Sequence, residues 1–144
     1  QKEVVDRIIA KEGSSNNGAL STRMKLISNV KKICDIKPSS FSPPPKVDSS
    51  LIIFSPLPLN SRLDKQTEKC IDNLLKITFN ARRKKIRNTL NSVFSKENIL
   101  YLEKYSEINL SMRPQDLSVD QWVKLANIYI KINNLLSKNC EIKK

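Results

Sequence analysis

The first 60 residues combine two helical patterns with two strand patterns. Apolar residues at positions 4, 5, 8 and 9 have the spacing of a short amphipathic helix, which the turn-forming stretch EGSSNNG (12–18) ends. A second short helix is predicted from Leu20 to about Ile27, with Ser21 as its N-cap. VKKICDI (30–36) and SSLIIF (49–54) then indicate strands. Because two strands alone cannot form a stable sheet, we expect neighbours that these residues do not supply, as in an α/β domain entered midway.

A proline-rich loop surrounds the second of these strands. Six of the seven prolines lie between positions 38 and 58, so the segment is expected to be stiff and extended rather than helical. Residues 56–61 form a plausible boundary between two architectures. The predicted fold class is therefore α/β plus all-α, with an α/β remnant over residues 1–60 and a helical domain over residues 61–144.

Helical periodicity dominates after this boundary. An apolar stripe runs from Ile71 to Phe79, but one continuous helix would put Arg82 on the apolar side, so a break is predicted near residues 80–83. A new helix should then bury Ile86, Leu90, Val93 and Phe94. Ser95 is expected to cap a third helix through about residue 104, and the capping box SVDQ (118–121) should start a fourth. Its predicted inward stripe is Val119, Trp122, Val123, Ala126, Tyr129 and Ile130, and the tail SKNCEIKK (137–144) is expected to fray.

Charge narrows the class of partner. The net charge is +12, with nine cations against five acids up to residue 60 and 17 against nine after it. Such a balance favours a polyanion or an anionic membrane. The apolar runs are far shorter than a membrane span. Of the two partner classes we expect the polyanion and no membrane. Three scattered cysteines and the absence of histidine argue against disulfides and metal, and favour a reduced intracellular compartment, cytoplasmic or organellar.

The stretch FNARRKKIRNTL (79–90) is the strongest candidate for binding chemistry. Five cations occupy six positions, namely Arg82, Arg83, Lys84, Lys85 and Arg87. We expect them to project at helical spacing on the side opposite Ile86 and Leu90, where they could bind phosphate oxygens. A solvated helix face or a nuclear import signal would give the same pattern.

The stretch FSPPPK (41–46) is the second candidate. Prolines 43–45 restrict the backbone, so Phe41 could be a rigid platform for base stacking, and Lys46 is a further candidate for RNA binding. Phe41 could instead fill the core, or SPPPK could be a polyproline ligand for an SH3-like domain. Glu3, Asp6 and Arg7 are expected to form only a surface network. The sequence has no glycine-rich phosphate loop and no paired nucleophile and base.

Several stretches in one order resemble a known family. QKEVVDRIIA, LS (20–21), FSPPPKVDSSLIIF, FNARRKKIRNTL and MRPQDLSVDQWVKLAN are similar to the second half of the ribosomal RNA small-subunit adenine N6,N6-dimethyltransferases, and cover nearly the whole chain. The combination of F-x-P-x-P-K-V-D-S with F-N-x-R-R-K about 30 residues later carries the resemblance. The family tends to have an aromatic-Gly-Arg before Leu-Ser, where this chain has Asn17, Gly18 and Ala19.

The resemblance implies the last strands of a Rossmann-like methyltransferase sheet followed by a small helical rRNA-binding domain. It implies dimethylation of two adjacent adenosines in the 3′-terminal hairpin of small-subunit rRNA, with S-adenosyl-L-methionine as cofactor. The partner would be small-subunit rRNA or a pre-30S-type particle, bound by a monomer. Phe41 matches the residue that packs on the target adenine, and Arg82, Arg83 and Lys84 match the rRNA-binding cluster.

The cofactor motifs of the family would precede Gln1, so no catalytic, cofactor-binding or metal residue is assigned here and the chain alone should be inactive. A non-catalytic RNA-binding or ribosome-assembly factor is the alternative.

Overall fold

A computed structural model describes residues 1–141, with side chains described through residue 134. The chain forms two compact units, Gln1–Arg62 and a second beginning at Leu63. This division lies two residues from the boundary that the proline-rich segment predicts.

The first unit contains two helices and two strands. Helix α1 spans Lys2–Ile8, α2 spans Ala19–Ile27, β1 spans Ser28–Ile36 and β2 spans Ser49–Pro56. The strands are antiparallel, with Ser28 opposite Pro56, Ile36 opposite Ser49, and an irregularity between Lys32 and Cys34. Val5 and Ile8 are buried, which confirms part of the apolar face predicted for α1, whereas Val4 is 39% exposed. Single 3₁₀ turns at Pro38–Ser40 and Leu59–Ser61 interrupt the loop expected to be wholly extended.

The start of α2 differs from the prediction. Gly18, not Ser21, is the N-cap, and the Gly18 N–H donates to Ser21 Oγ at 2.8 Å from the third helical position. Ser21 therefore satisfies the cap residue's own donor, the half of a capping box that usually belongs to Glu or Gln. The sequence pattern placed the start of α2 within one residue, but it predicted Ser21 as the N-cap, whereas Ser21 is the third residue of the helix.

The sheet keeps much of its apolar surface in solvent. Among the described residues it has two strands, and Ile33, Leu51, Ile53 and Phe54 each remain 45–51% exposed. Side chains of this size normally lie against another layer. The exposure agrees with the expectation that the strands need neighbours.

The second unit is helical. Helix α3 spans Lys65–Phe79, α4 spans Ile86–Leu90, α5 spans Lys96–Ser106 and α6 spans Val119–Glu141, and a 3₁₀ turn covers Pro114–Asp116. Both predicted caps are confirmed: Ser95 Oγ accepts from the Asn98 N–H at 3.3 Å, and Ser118 exchanges hydrogen bonds with Gln121. Asp64 caps α3 by accepting from the N–H groups of residues 66 and 67, both at 2.9 Å. The four predicted helices are present, although α4 is only five residues long.

Long-range packing sets which apolar residues are buried here. The fully buried side chains include Ile71, Leu74, Leu75, Ile86, Leu90, Leu102, Trp122 and Leu125. Val93, expected inward, is 53% exposed because α4 ends at Leu90 and residues 91–94 form a turn. Phe94 instead packs on Tyr129, with ring centroids 4.8 Å apart. In α6 the buried stripe passes through Leu125 and Ile132, and Val119, Val123 and Ile130 lie at its edges.

Helix α6 includes part of the tail (137–144) that the sequence predicts to fray. The helix continues through Glu141, and residues 142–144 lie outside the described residues. No helix in the described part of the chain is both long and apolar enough to cross a bilayer.

Candidate nucleic-acid interface

Four consecutive cations form an exposed turn in the helical unit. Arg82, Arg83, Lys84 and Lys85, here called the cationic turn, lie between the end of α3 and the start of α4. The break predicted near residues 80–83 is therefore confirmed. The prediction that these side chains follow helical spacing is wrong, because residues 80–85 are not helical and only Arg87 lies on α4.

Backbone hydrogen bonds from distant residues hold the turn in place. The N–H groups of Ile86 and Arg87 donate to the carbonyls of Met112 and Leu110, at 3.0 and 2.9 Å. These donors belong to the first turn of α4, where a helix has no internal acceptor for them. The buried side chains of Ile86 and Leu90 fix the same segment from the other side. The cationic turn is thus presented by a rigid base, although it is not itself regular structure.

Two of the arginines have partners inside the protein. Arg87 forms an ion pair through Nη2 with Glu103 Oε2 on α5. Arg82 Nη2 donates to Gln115 Oε1 at 3.3 Å. The sequence offered no acid within one helical turn of the cluster, and Glu103 is 16 residues away from Arg87. Any anion that binds Arg87 must therefore share it with a carboxylate.

A groove that sequence reasoning missed lies beside the cationic turn. It has a volume of about 580 Å³ and its lining includes Ile77, Asn80, Lys84, Asn88, Ser92 and Val93. Four of its five polar members, residues 80, 84, 88 and 92, are spaced by four residues, which would place them on one face of a helix if the chain were helical throughout. That spacing was the available signal in the sequence, and the cations between them obscured it.

Phe41 lies in the first unit, directly after the Pro38–Ser40 turn. Its N–H donates to Pro38 O at 3.1 Å, and its side chain is 41% exposed. Phe41 is therefore not part of the buried core of this unit. Lys46, in the same loop, is also exposed. An exposed ring on a proline-restrained loop can stack on a planar group with little loss of conformational entropy.

The acids near the start of the chain form a different network from the predicted one. Asp6 pairs with Lys2 at 2.7 Å and with Lys32 on β1 at 3.5 Å, rather than with Arg7. Lys32 also pairs with Asp35 at 2.6 Å. The Lys2 hydrogen bond lowers the pKa of the Asp6 carboxyl, and the Asp35 hydrogen bond raises the pKa of Lys32. The network joins α1 to β1. Asp6 and Asp35 are both paired with lysine, so neither carboxylate is arranged as a general base.

The cysteines and the glycines offer no reactive or cofactor site. Burial raises the pKa of the Cys70 thiol to about 11, so it is not a thiolate near neutral pH. Cys34 is exposed, and the side chain of Cys140 lies outside the described ones. Within residues 1–141 no cluster of three potential metal ligands occurs. A Cβ added at Gly13 would meet no atom within 4 Å, and one at Gly18 would meet only Asn16 O at 4.0 Å. Both glycines lie between α1 and α2, and neither belongs to a glycine-rich turn that joins a strand to a helix, so the chain lacks the loop that cradles a nucleotide cofactor such as S-adenosyl-L-methionine.

Comparisons with known proteins agree on one family. A sequence model described as "Ribosomal RNA adenine dimethylase" matches residues 1–131. "Ribosomal RNA small subunit methyltransferase A" of Prochlorococcus marinus strain AS9601 is 60% identical over 132 residues, covering 92% of this chain and 48% of that protein. The protein of the same name from Nostoc sp. strain PCC 7120 is 42% identical over 89% of this chain and 46% of its own length. The chain thus spans about half the length of the curated relatives it matches.

Solved structures support the same fold. A crystal structure of a dimethyladenosine transferase from Plasmodium falciparum aligns with a TM-score of 0.68 and 27% identity, over 87% of this chain and 53% of that one. The crystal structure of 23S rRNA methyltransferase ErmE aligns with a TM-score of 0.59 at 14% identity, over 90% and 52% respectively, which supports the fold alone.

Proposed function

The chain belongs to the ribosomal RNA adenine dimethylase family, and we propose that it is the C-terminal portion of an enzyme that dimethylates N6 of two adjacent adenosines in the 3′-terminal hairpin of small-subunit rRNA. In this proposal, β1 and β2 are the last strands of a Rossmann-like methyltransferase sheet. The helical unit binds rRNA in the assembling small-subunit particle, and the protein acts as a monomer in the cytoplasm or an organelle.

The cationic turn is the observation that supports this proposal most directly. Its four side chains are exposed, and the two bonds to residues 110 and 112 fix the backbone that follows it. Closely spaced cations on a fixed backbone can each neutralise a phosphate without paying the entropy of ordering a mobile loop. Such contacts set the position of an RNA without reading its sequence.

Phe41 would hold the target base. The N6 amine of adenine has its lone pair delocalised into the ring, so methyl transfer depends on positioning the base in line with the donor more than on a strong base. An adenine taken out of its helix can be held by stacking on an exposed aromatic ring. Lys46 would bind a phosphate near the same loop. The absence of histidine from the chain is therefore compatible with this chemistry.

S-adenosyl-L-methionine would supply the electrophilic methyl group when bound. Since this chain has no glycine-rich cofactor loop, we place that site in the part of the enzyme that precedes Gln1. This chain should bind RNA alone and transfer no methyl groups alone.

A fluorescence experiment with a hairpin RNA tests the assignment of Phe41. One of the two adjacent adenines is replaced by 2-aminopurine, whose emission reports on stacking. Binding of the unsubstituted chain should change the emission, and Phe41→Leu should lose that change while Phe41→Trp keeps it. Leu59→Ala is the control, because Leu59 is an apolar residue of the same unit that is 80% exposed. An identical emission change for Phe41→Leu and the unsubstituted chain would remove the proposed role.

A non-catalytic RNA-binding or ribosome-assembly factor is the second candidate. The same cationic turn supports it, and so does the lack of a glycine-rich cofactor loop in this sequence. A methyl-transfer assay on the hairpin, with a protein extended at its N terminus to the length of the curated relatives, distinguishes the two. Methylated adenosines would favour the enzyme, whereas binding without methylation would favour the assembly factor.

A further inference from the structure

The groove beside the cationic turn has the chemistry of a nucleotide site. Its wall carries the amides of Asn80 and Asn88 and the hydroxyl of Ser92, its apolar part is formed by Ile77 and Val93, and Lys84 also lines it. None of the described residues that line it is acidic. The volume of about 580 Å³ lies within the range of small-ligand sites.

The amides are suited to the edge of a nucleobase. Asn80 is the C-cap of α3 and Asn88 lies within α4, and both side chains are exposed. An asparagine amide offers a donor and an acceptor side by side, which is the pairing that a base edge presents. Two such amides in one groove can pair with both the donors and the acceptors of a base, whereas a cation can only donate hydrogen bonds. The Ser92 hydroxyl already donates to Thr89 O at 2.7 Å, so its oxygen is available as an acceptor.

Val93 offers an apolar contact for the flat face of a base. It is 53% exposed, although the sequence pattern predicts it inside the core. Its neighbour Phe94 packs on Tyr129, which holds the turn that carries Val93. An exposed apolar residue in a groove that two amides and a lysine also line matches the parts of one nucleotide, namely a planar ring, polar edges and a phosphate.

Lys84 connects the groove to the cationic turn, since it belongs to both. An RNA strand whose phosphates lie along residues 82–85 would therefore bring its bases within reach of the groove. We propose that the groove binds one unpaired nucleotide of the bound RNA, with its base edge on Asn80 and Asn88, its ring on Val93 and its phosphate on Lys84. This inference rests on the proposed function, because it assumes that the cationic turn binds RNA.

The test combines the substitution of two asparagines in the protein with RNAs that each lack the base of one nucleotide. Asn80→Ala with Asn88→Ala is compared with the unsubstituted chain on a set of hairpin RNAs, each with one abasic site at a different unpaired position other than the two adjacent adenosines assigned to Phe41. For the unsubstituted chain, one abasic position should weaken binding roughly tenfold. For the double variant, affinity for the intact RNA should fall by a similar factor, and that abasic position should have no further effect.

Controls separate this site from folding and from backbone binding. Asn91→Ala with Asn134→Ala removes two exposed amides of the same unit outside the groove and should bind like the unsubstituted chain. Val93→Gln, at an exposed position, should fold normally and also lose the response to the abasic site. The salt dependence of binding should be unchanged in all three variants, because no cation is removed.

The outcomes distinguish the proposed function from the inference about the groove. If the unsubstituted chain binds with steep salt dependence but no abasic position matters, the groove holds no base and only this inference is overturned. An equal abasic effect in the unsubstituted chain and the double variant overturns it as well. If the unsubstituted chain does not bind the hairpin at all, the proposed function is overturned together with it.

Discussion

Removing three charges from the cationic turn should change how RNA binding depends on salt. The perturbation is Arg82→Ala, Arg83→Ala and Lys84→Ala in one chain, which leaves Lys85 and Arg87 in place. Each cation that no longer neutralises a phosphate should reduce the slope of log K against log salt by about 0.7 to 0.9. Removing three such cations therefore lowers the slope by roughly 2 to 3, which corresponds to about 100-fold weaker binding near 0.1 M salt.

The structure identifies which cations should contribute to this slope. The four residues of the cationic turn are exposed, whereas Arg87 is paired with Glu103. Arg87 must give up its ion pair with Glu103 to bind a phosphate, which lowers the net free energy of that contact. Arg87→Gln should therefore lower the salt slope by less than the 0.7 to 0.9 expected for one phosphate contact. Arg82 donates to Gln115, so its guanidinium also has a partner inside the protein.

The assay is fluorescence anisotropy of a labelled small-subunit 3′ hairpin RNA, titrated at several salt concentrations. The matched control is Lys65→Ala, Lys69→Ala and Lys131→Ala, which removes the same charge from exposed sites elsewhere in the helical unit. Charges beyond a Debye length of about 10 Å act weakly, so the control should keep most of the slope. Equal slopes for the two triple variants would show that only net charge matters and would refute the assignment of the turn.

Three further predictions concern stability and reactivity. Leu90→Ala should lower the free energy of unfolding by about 2–5 kcal/mol in urea denaturation, because Leu90 is fully buried, whereas Leu100→Ala, at a 60% exposed position, should change it little. The hydrogen bonds from Thr67 lower the pKa of the Asp64 carboxyl below its ordinary value of 3.8. The stability that Asp64 contributes is therefore complete above pH 3.8 and is lost as the pH falls through the lowered pKa. Asp64→Asn should reduce this loss of stability in acid, and an unchanged dependence of stability on acidic pH would contradict the capping role of Asp64. With the pKa of the Cys70 thiol at about 11, iodoacetamide at pH 8 should label Cys34 and leave Cys70 unmodified until the chain unfolds, as peptide mapping by mass spectrometry would detect.

Local sequence determined most helix ends and the strand positions of this protein. Ser95 and Ser118 cap their helices through hydrogen bonds to groups three residues away, so the information lies within one turn of chain. The first strand also formed where VKKICDI predicted it, and the break between α3 and α4 followed from the apolar stripe. Family membership was likewise available from short motifs, because they keep both residue type and spacing.

The tertiary structure alone decided how the candidate interface is arranged. The partner of Arg87 lies 16 residues away, and the carbonyls that anchor α4 belong to Leu110 and Met112. Neither interaction leaves a periodic trace, because the chain between the partners takes an irregular path. The exposure of Val93 depends in the same way on where α4 stops and on the packing of Phe94 against α6. Sequence patterns record interactions within a few residues, whereas the arrangement of this interface depends on bonds and packing between residues far apart in the chain.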